Sequence, residues 1–228
     1  MNKAIYETLQ KFPELKNNFQ FVGTAQQRNI FLKEVLTKAM YPEIKARYPN
    51  LSDAEFNKKL EMHVKGRIKN LDLGIGTKDY AHSIKNEKHF HPNVKPELIN
   101  GISMNSAYAK DTVKLAEKVQ KDIDAKYHPP AVNKLKFIID HEIGHQLDDL
   151  LKLSKNKVII DLYNSLSQDQ ITAGLSEYAW KNTSRDPINE FIAEAWGEYR
   201  NNPPSAIRPI ARQVGELIEK EYLLKYGH

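Results

Sequence analysis

One apolar helical stretch constrains this chain more than any other, because it carries two histidines four residues apart. The stretch is FIIDHEIGHQLDDLL, residues 137–151, in which Glu142 directly follows His141. Residues four apart lie on one face of an α-helix, so His141 and His145 can present two imidazoles to one ion. In this arrangement zinc lowers the pKa of a bound water and the glutamate takes its proton. The stretch therefore predicts a helix that carries half of a zinc site, with Glu142 as general base.

The composition limits which ligands can complete the site. The chain of 228 residues has no cysteine, which excludes disulfides and thiolate zinc sites and leaves histidine, carboxylate and water as ligands. The alternative is an amphipathic helix with two incidental histidines. Polar groups in so apolar a segment are costly unless they have a partner, which favours metal binding.

A second stretch, PINEFIAEAWGEYR, supplies candidates for the third ligand. It sets Glu190, Glu194 and Glu198 at successive four-residue intervals on one predicted helical face. The first two are flanked by apolar residues, and a buried carboxylate needs a cation or several hydrogen bonds. We assign Glu190 as the third ligand and Glu194 as the partner that orients a ligand histidine. Spacing alone does not exclude the reverse assignment, and Glu198 is expected to be solvated.

Two further residues have predicted roles near the metal. Asp148, three residues after His145, shares the motif's face and is expected either to accept a hydrogen bond that steadies the site or to lie on the surface. Tyr178, in LSEYAWKN, is a candidate hydrogen-bond donor to the oxyanion that forms when water attacks a carbonyl, or else a core tyrosine. The remaining histidines lack ligand spacing, apart from the close pair His89 and His91, and are interpreted as loop residues; they are His63, His82, His89, His91, His128 and His228.

Hydrophobic periodicity predicts a mostly helical α+β protein with a few short strands. Helices are predicted over 24–47, from Leu51, over 110–126, around the histidine pair, and over 157–167, 187–199 and 205–226. Segments rich in Gly, Pro and Asn between about 71 and 109 indicate loops and short strands. A boundary between residues 70 and 90 divides the chain into an N-terminal helical region, 1–85, and a second domain, 86–228.

Charge and hydropathy restrict the partners. The net charge is +5, and the excess lies in residues 1–100, which hold 17 Lys and Arg against 11 Asp and Glu. Because these cations are scattered without aromatic neighbours, a solvated surface is favoured over a nucleic-acid interface. No stretch resembles a signal peptide or a membrane span, so a cytoplasmic or virion-associated location without membrane partners is expected.

The motifs HEIGHQLDD, LSEYAWKN and NEFIAEAWGEY together resemble the zincin metallopeptidases of the gluzincin type, especially the branch of anthrax lethal factor and the Pro-Pro endopeptidases. The resemblance implies that His141, His145 and Glu190 bind Zn²⁺, that Glu142 is the general base and that Tyr178 stabilises the oxyanion. The interval between Tyr178 and Glu190 is longer here than in lethal factor.

A longer set of segments, which adds GISMNSAYAKD, KYHPP and PIARQVGELIEKEY, resembles the zincin-like domain of phage and prophage minor head (head morphogenesis) proteins. This resemblance implies an active-site helix and a second ligand helix beneath a small mixed sheet, and it suggests phage head or portal proteins as partners. In that family an edge strand binds extended polypeptide by strand addition. The corresponding residues here are Ile102, Ser103, Met104 and Asn105.

Two other functions remain open at this point. The zinc could stabilise a structural, capsid-associated domain with little or no hydrolytic activity, although the retained Glu142 argues against a purely structural site. Alternatively, the basic N-terminal region could form a nucleic-acid-binding module, whose affinity would fall steeply with salt.

Overall fold

The computed structural model describes residues 2–70, 79–84, 94, 100–181 and 186–227. The described part is α+β and mostly helical. Its strands are β1 (Phe21–Thr24), β2 (Ala81–Ile84) and β3 (Gly101–Met104). Its helices are α1 (Asn2–Lys11), α2 (Ala25–Arg47), α3 (Asp53–Asn70), α4 (Ser106–Ala109), α5 (Thr112–Asp124), α6 (Lys134–Leu151), α7 (Lys157–Ser165), α8 (Gln168–Gly174), α9 (Tyr178–Lys181), α10 (Pro187–Asn201) and α11 (Pro209–Tyr226). None of the described helices combines the length and apolar character that crossing a membrane requires.

Short-range signals in the sequence account for most helix boundaries. The Ser52 hydroxyl accepts a hydrogen bond from the backbone N–H of Glu55, whose carboxylate accepts one from the Ser52 N–H in return, and this capping box starts α3. Asp186 caps α10 through the N–H of Ile188, and Pro187 occupies the first turn. Between the helices predicted at 157–167 and 187–199, the structure contains two further short helices, α8 and α9.

The chain forms two compact units whose limits differ from the boundary expected near residue 85. One unit combines residues 1–16 with residues 108–228, and the other comprises residues 17–107. The N-terminal helix α1 therefore belongs with the C-terminal part of the chain. The ring of Phe12, the residue that directly follows α1, packs edge-on against Trp196 and Tyr222 of α10 and α11, at centroid distances of 5.6 and 4.8 Å.

The smaller unit contains a mixed three-stranded sheet and the helix pair α2 and α3. Its apolar core lies between the two helices and includes Leu36, Ile44, Phe56 and Val64. The strand order is β1-β3-β2, with β1 parallel and β2 antiparallel to β3. The small mixed sheet expected from the sequence is therefore present.

The prediction that the GISM segment forms an edge strand is wrong. β3 is the central strand, so β1 and β2 occupy the backbone N–H and C=O groups on its two sides. Ile102, Ser103, Met104 and Asn105 are all buried, and the Ser103 hydroxyl accepts a hydrogen bond of 2.7 Å from the buried Arg28 guanidinium. This strand consequently has no free edge to which a peptide could add.

The larger unit is organised around α6 and α10, which run antiparallel. The Asn189 side chain near the start of α10 bonds to Asp148 near the end of α6, and Asn201 at the end of α10 bonds to Asp140. Midway between these bonds, a β-carbon added to Gly144 would lie 2.8 Å from the Cα of Ala193. The two backbones therefore approach closely at the level of the histidine pair.

Candidate metal centre

Helix α6 presents the two motif histidines on one buried face. His141 and His145 are 8% and 1% exposed, and their rings lie 4.9 Å apart in a nearly perpendicular arrangement. Every residue from Phe137 to Asp148 is buried, because α6 is covered by neighbouring elements of its own unit. The imidazoles are thus held inside the protein, where polar groups require partners.

Helix α10 brings Glu190 to both imidazoles. The Glu190 Oε2 atom lies 3.3 Å from His141 Nε2 and 3.4 Å from His145 Nε2, and the carboxylate is 1% exposed. The ligand atoms of these three residues all lie within 4.8 Å of one another. The structure therefore brings together the three residues that the sequence predicts as metal ligands.

The two contacts to Glu190 Oε2 have the spacing of ligand atoms in a tetrahedral zinc site. Bonds of about 2.0–2.1 Å to nitrogen and oxygen place neighbouring ligand atoms of a tetrahedron roughly 3.3–3.4 Å apart. The two contacts to Glu190 Oε2 have these lengths, which exceed the usual length of about 2.9 Å for an N–H···O hydrogen bond. Two histidines and one glutamate are also the ligand set of a catalytic zinc that keeps a position open for water.

The electrostatics of the cluster favour positive charge. Burial alone would lower the pKa of His141, but the neighbouring carboxylates of Glu190 and Glu194 raise it to about 10. Burial would raise the pKa of Glu190, yet the two histidines hold it well below its usual range. A cation placed among these side chains is therefore stabilised by a buried carboxylate that stays ionised.

Glu194 lies behind His141. It is fully buried, and its Oε1 atom lies 2.8 Å from His141 Nδ1, on the side of the ring away from Glu190. Because a carboxylate attracts a nitrogen that carries a proton, a contact this short favours the proton on Nδ1 and leaves Nε2 for a metal. The geometry favours Glu190 as the ligand and Glu194 as the orienting partner over the reverse assignment.

Two further side chains bond to Glu194. The Ser176 hydroxyl donates to Oε2 at 2.8 Å, and the Nδ1 atom of His128 lies 3.1 Å from both carboxylate oxygens. Burial would raise the pKa of Glu194, but His128 and His141 lower it to about 2. His128 lies in the loop between α5 and α6, as the sequence indicates, but it is only 7% exposed and lies beside the candidate centre.

Only a weak sequence signal pointed to His128 and Ser176. Neither residue has helical spacing to the motif histidines, and both lie in segments between helices. They do fall within KYHPP and LSEYAWKN, two of the segments on which the family resemblance depends. His128 is 66 residues and Ser176 is 18 residues from Glu194 in the sequence, and patterns of local spacing do not predict contacts over such intervals.

Tyr178 lies against the candidate centre at the start of α9. Its half-buried ring is 5.9 Å from the His141 ring and 5.1 Å from the His128 ring. Burial, followed by the negative charges of Glu190, Glu194 and Glu142, raises the pKa of Tyr178 well above its usual value. The phenol therefore stays protonated and can donate a hydrogen bond, as the predicted oxyanion role requires.

The predicted general base is also inside the protein. Glu142 follows His141 on α6, is 6% exposed, and is close enough for its charge to affect Tyr178. A carboxylate beside the first ligand and a phenol near the ligand ring are the two groups that metal-assisted attack of water on a carbonyl needs in addition to the ion.

Asp148 connects the two ligand helices. Its carboxylate accepts hydrogen bonds of 2.7 Å from the Ser154 backbone N–H and from the Asn189 side chain, which directly precedes Glu190. With 3% of its surface exposed, Asp148 is not a surface residue. It anchors the first turn of α10 and thereby helps to fix the position of Glu190.

The expectation that Glu198 is solvated is wrong. Its side chain is fully buried, and both carboxylate oxygens accept hydrogen bonds from the Arg208 guanidinium, with Nε distances of 3.0 and 3.1 Å. Glu198 also accepts a bond from the Arg208 backbone N–H. The arginine lies ten residues further along the chain and supplies the cation that a buried carboxylate needs.

The prediction that His63 and His82 are loop residues is wrong. His63 is in α3 and His82 is in β2, both in the smaller unit. His89, His91 and His228 are outside the residues that the structure describes.

No protein-family model, curated protein or solved structure shows a significant match to this chain. The functional conclusion therefore depends on the geometry and chemistry of the cluster.

Proposed function

We propose that this protein is a zinc-dependent metallopeptidase with a zincin-like fold, which hydrolyses peptide bonds in polypeptide substrates. The observation that carries the proposal is the convergence of His141 Nε2 and His145 Nε2 on Glu190 Oε2, at 3.3 and 3.4 Å. Zinc is preferred among divalent ions because a small set of imidazole and carboxylate ligands at tetrahedral spacing suits it, whereas magnesium and calcium take six or more oxygens.

The ion would be held by His141, His145 and Glu190. When bound, zinc supplies a Lewis acid that polarises a carbonyl and lowers the pKa of a coordinated water. Glu142 accepts the proton of the attacking water and delivers it to the leaving amine. Tyr178 donates a hydrogen bond to the oxygen that becomes negatively charged during the attack.

The resemblance to zincin-like domains of phage and prophage minor head proteins supports a more specific setting. On this basis we propose a role in head morphogenesis, with phage head or portal proteins as substrates or partners.

The first experiment measures the metal content. Protein purified without chelator is expected to contain about one zinc ion per chain, and His141→Ala is expected to lose it. The proposal is abandoned if the wild-type protein contains no stoichiometric zinc and does not acquire it on titration, or if His141→Ala retains it.

The second experiment measures hydrolysis without assuming a particular substrate. A peptide library derived from a bacterial proteome is incubated with the zinc-loaded protein, and new peptide termini are identified by mass spectrometry. Glu142→Gln is the matched control, because it keeps the side-chain shape but removes the base. Cleavage by the wild-type protein that Glu142→Gln abolishes supports the proposal.

One observation favours a second function, in which zinc stabilises a structural domain. All three candidate ligands and Glu142 are buried, with at most 8% of any of them exposed, which limits the access of a polypeptide to the ion. In that case the wild-type protein and Glu142→Gln bind zinc equally and neither cleaves the library, while zinc removal lowers the unfolding temperature.

A further inference from the structure

The carboxylate of Glu194 is held by residues from three separate parts of the larger unit. His141 comes from α6, Ser176 from the segment between α8 and α9, and His128 from the segment between α5 and α6. All four side chains are buried, with exposed fractions between 0% and 8%. The carboxylate therefore has little freedom to reorient while this set of contacts is intact.

His128 occupies a distinctive position in this set. Its Nδ1 atom is equidistant, at 3.1 Å, from Oε1 and Oε2 of Glu194, whereas the Ser176 hydroxyl donates to Oε2 alone and His141 Nδ1 lies 2.8 Å from Oε1. A donor shared between both oxygens limits rotation of the carboxylate plane in a way that neither single-oxygen contact does. Loss of that donor allows Oε1 to move away from His141 Nδ1.

The ring of His128 is itself fixed by aromatic neighbours. Tyr178, Tyr127 and Phe137 surround it at centroid distances of 5.1, 5.2 and 5.6 Å. Its position is therefore set by packing, and its Nδ1 atom is directed at Glu194 before any ion binds. This arrangement links the KYHPP segment to the ligand histidine through a single carboxylate.

We propose that His128 is a positioning residue for the metal centre. By holding the Glu194 carboxylate against His141 Nδ1, it directs Nε2 of that ring towards the ion. The inference depends on the metal centre proposed above, but it concerns zinc affinity and does not require the protein to be a peptidase. Groups behind a metal ligand typically change affinity by about 10–100-fold, and we expect roughly tenfold for His128 because it acts through Glu194.

The test compares two polar replacements that differ in where they place a donor. In His128→Asn the amide nitrogen can occupy the position of Nδ1, whereas in His128→Gln it reaches the position of Nε2. Zinc affinity is measured by competition with a chromogenic chelator at fixed pH, after circular dichroism has shown that each variant is folded. We expect His128→Asn to bind zinc within about threefold of wild type and His128→Gln to bind roughly tenfold more weakly.

A third variant distinguishes the contribution of the His128 ring nitrogen from that of the packing of its ring. His128→Phe retains the ring and its aromatic contacts but removes both nitrogens, so a merely structural role predicts normal zinc affinity. The proposal predicts a loss of at least tenfold. Equal affinities for the asparagine and glutamine variants, or wild-type affinity in folded His128→Phe, would overturn it.

The wild-type measurement in the same assay separates the two proposals. Absence of zinc binding by the wild-type protein rejects the metal centre and, with it, the role of His128. Tight binding by the wild type together with unchanged affinity in the variants rejects only the role of His128.

Discussion

Gly144→Ala tests whether the close approach of the two ligand helices is required for the candidate centre. Gly144 lies between His141 and His145 on α6, and a β-carbon at this position would lie 2.8 Å from the Cα of Ala193 and 3.3 Å from the Cβ of Trp196. Ordinary contact begins at 3.4 Å, so the two helices must separate by about 0.6 Å at this level. The atom that must move belongs to the backbone and cannot be displaced by a change of rotamer.

The expected cost in stability follows from two opposing effects. Forcing an extra carbon into a packed core costs about 1–3 kcal/mol, and we take the upper end because the obstructing atom is backbone. Alanine recovers about 1 kcal/mol through its higher helix propensity. The free energy of unfolding of the metal-free protein should therefore fall by about 2 kcal/mol.

The effect on zinc affinity should be separate from the loss of stability and larger than it. His141 and His145 lie on one helix and Glu190 on the other, so separation of the helices changes the distances between ligand atoms directly. Zinc sites tolerate deviations of about 0.2 Å, which is well below the required shift. We therefore expect zinc affinity to fall by tenfold or more, on the order of the loss caused by disturbing groups that orient ligands.

Gly66→Ala is the matched control for both measurements. Gly66 lies within α3 and is exposed, and a β-carbon there would meet nothing within 4 Å. This variant should gain about 1 kcal/mol and bind zinc normally. Urea unfolding of chelator-treated protein and competition with a chromogenic chelator measure the two quantities. If Gly144→Ala is as stable as Gly66→Ala and binds zinc like the wild type, the inferred helix contact is refuted.

Three further substitutions test individual side chains. Glu190→Gln should lower zinc affinity by more than roughly 100-fold, and Glu194→Gln should lower it by less, because only Glu190 is a ligand. Equilibrium zinc titration measures both affinities, and the opposite order would reverse the two assignments. Arg208→Met should lower the free energy of unfolding by about 3–5 kcal/mol in denaturant titrations, since it leaves Glu198 buried without its cation; a loss below 1 kcal/mol contradicts this. Tyr178→Phe should keep zinc affinity and KM but reduce kcat by about 10²–10³-fold on a library-derived peptide, and an unchanged kcat would exclude the oxyanion role.

The sequence predicted those features that depend on short-range patterns. Apolar periodicity located the main helices, and the four-residue spacing of His141 and His145 indicated their shared face. The carboxylates of α10 could be connected to them because a buried acidic stripe needs a cation. The cluster of candidate metal ligands could therefore be predicted from two local sequence patterns and one electrostatic requirement.

The features that escaped prediction depend on which segments meet in space. Glu198 shares the face of Glu190, and only its contact with Arg208 reveals it as half of a buried ion pair. The strand order that makes β3 central follows from pairing between residues about 80 positions apart. His128 similarly becomes significant only through Glu194, because no spacing rule relates a residue before two prolines to a helix 60 residues later.

The small residues within the two motifs explain why the two local patterns form one site. Gly144 lies between the two motif histidines, and Ala193 lies between Glu190 and Glu194. Each of the two helices therefore has a small residue among its polar side chains. The antiparallel packing places these two residues against each other, and the backbones are closest where the ligands converge. A larger residue at either position would separate the histidines from the carboxylates. The sequences HEIGH and EFIAE therefore specify both the ligands and the helix contact that brings them within reach of one ion.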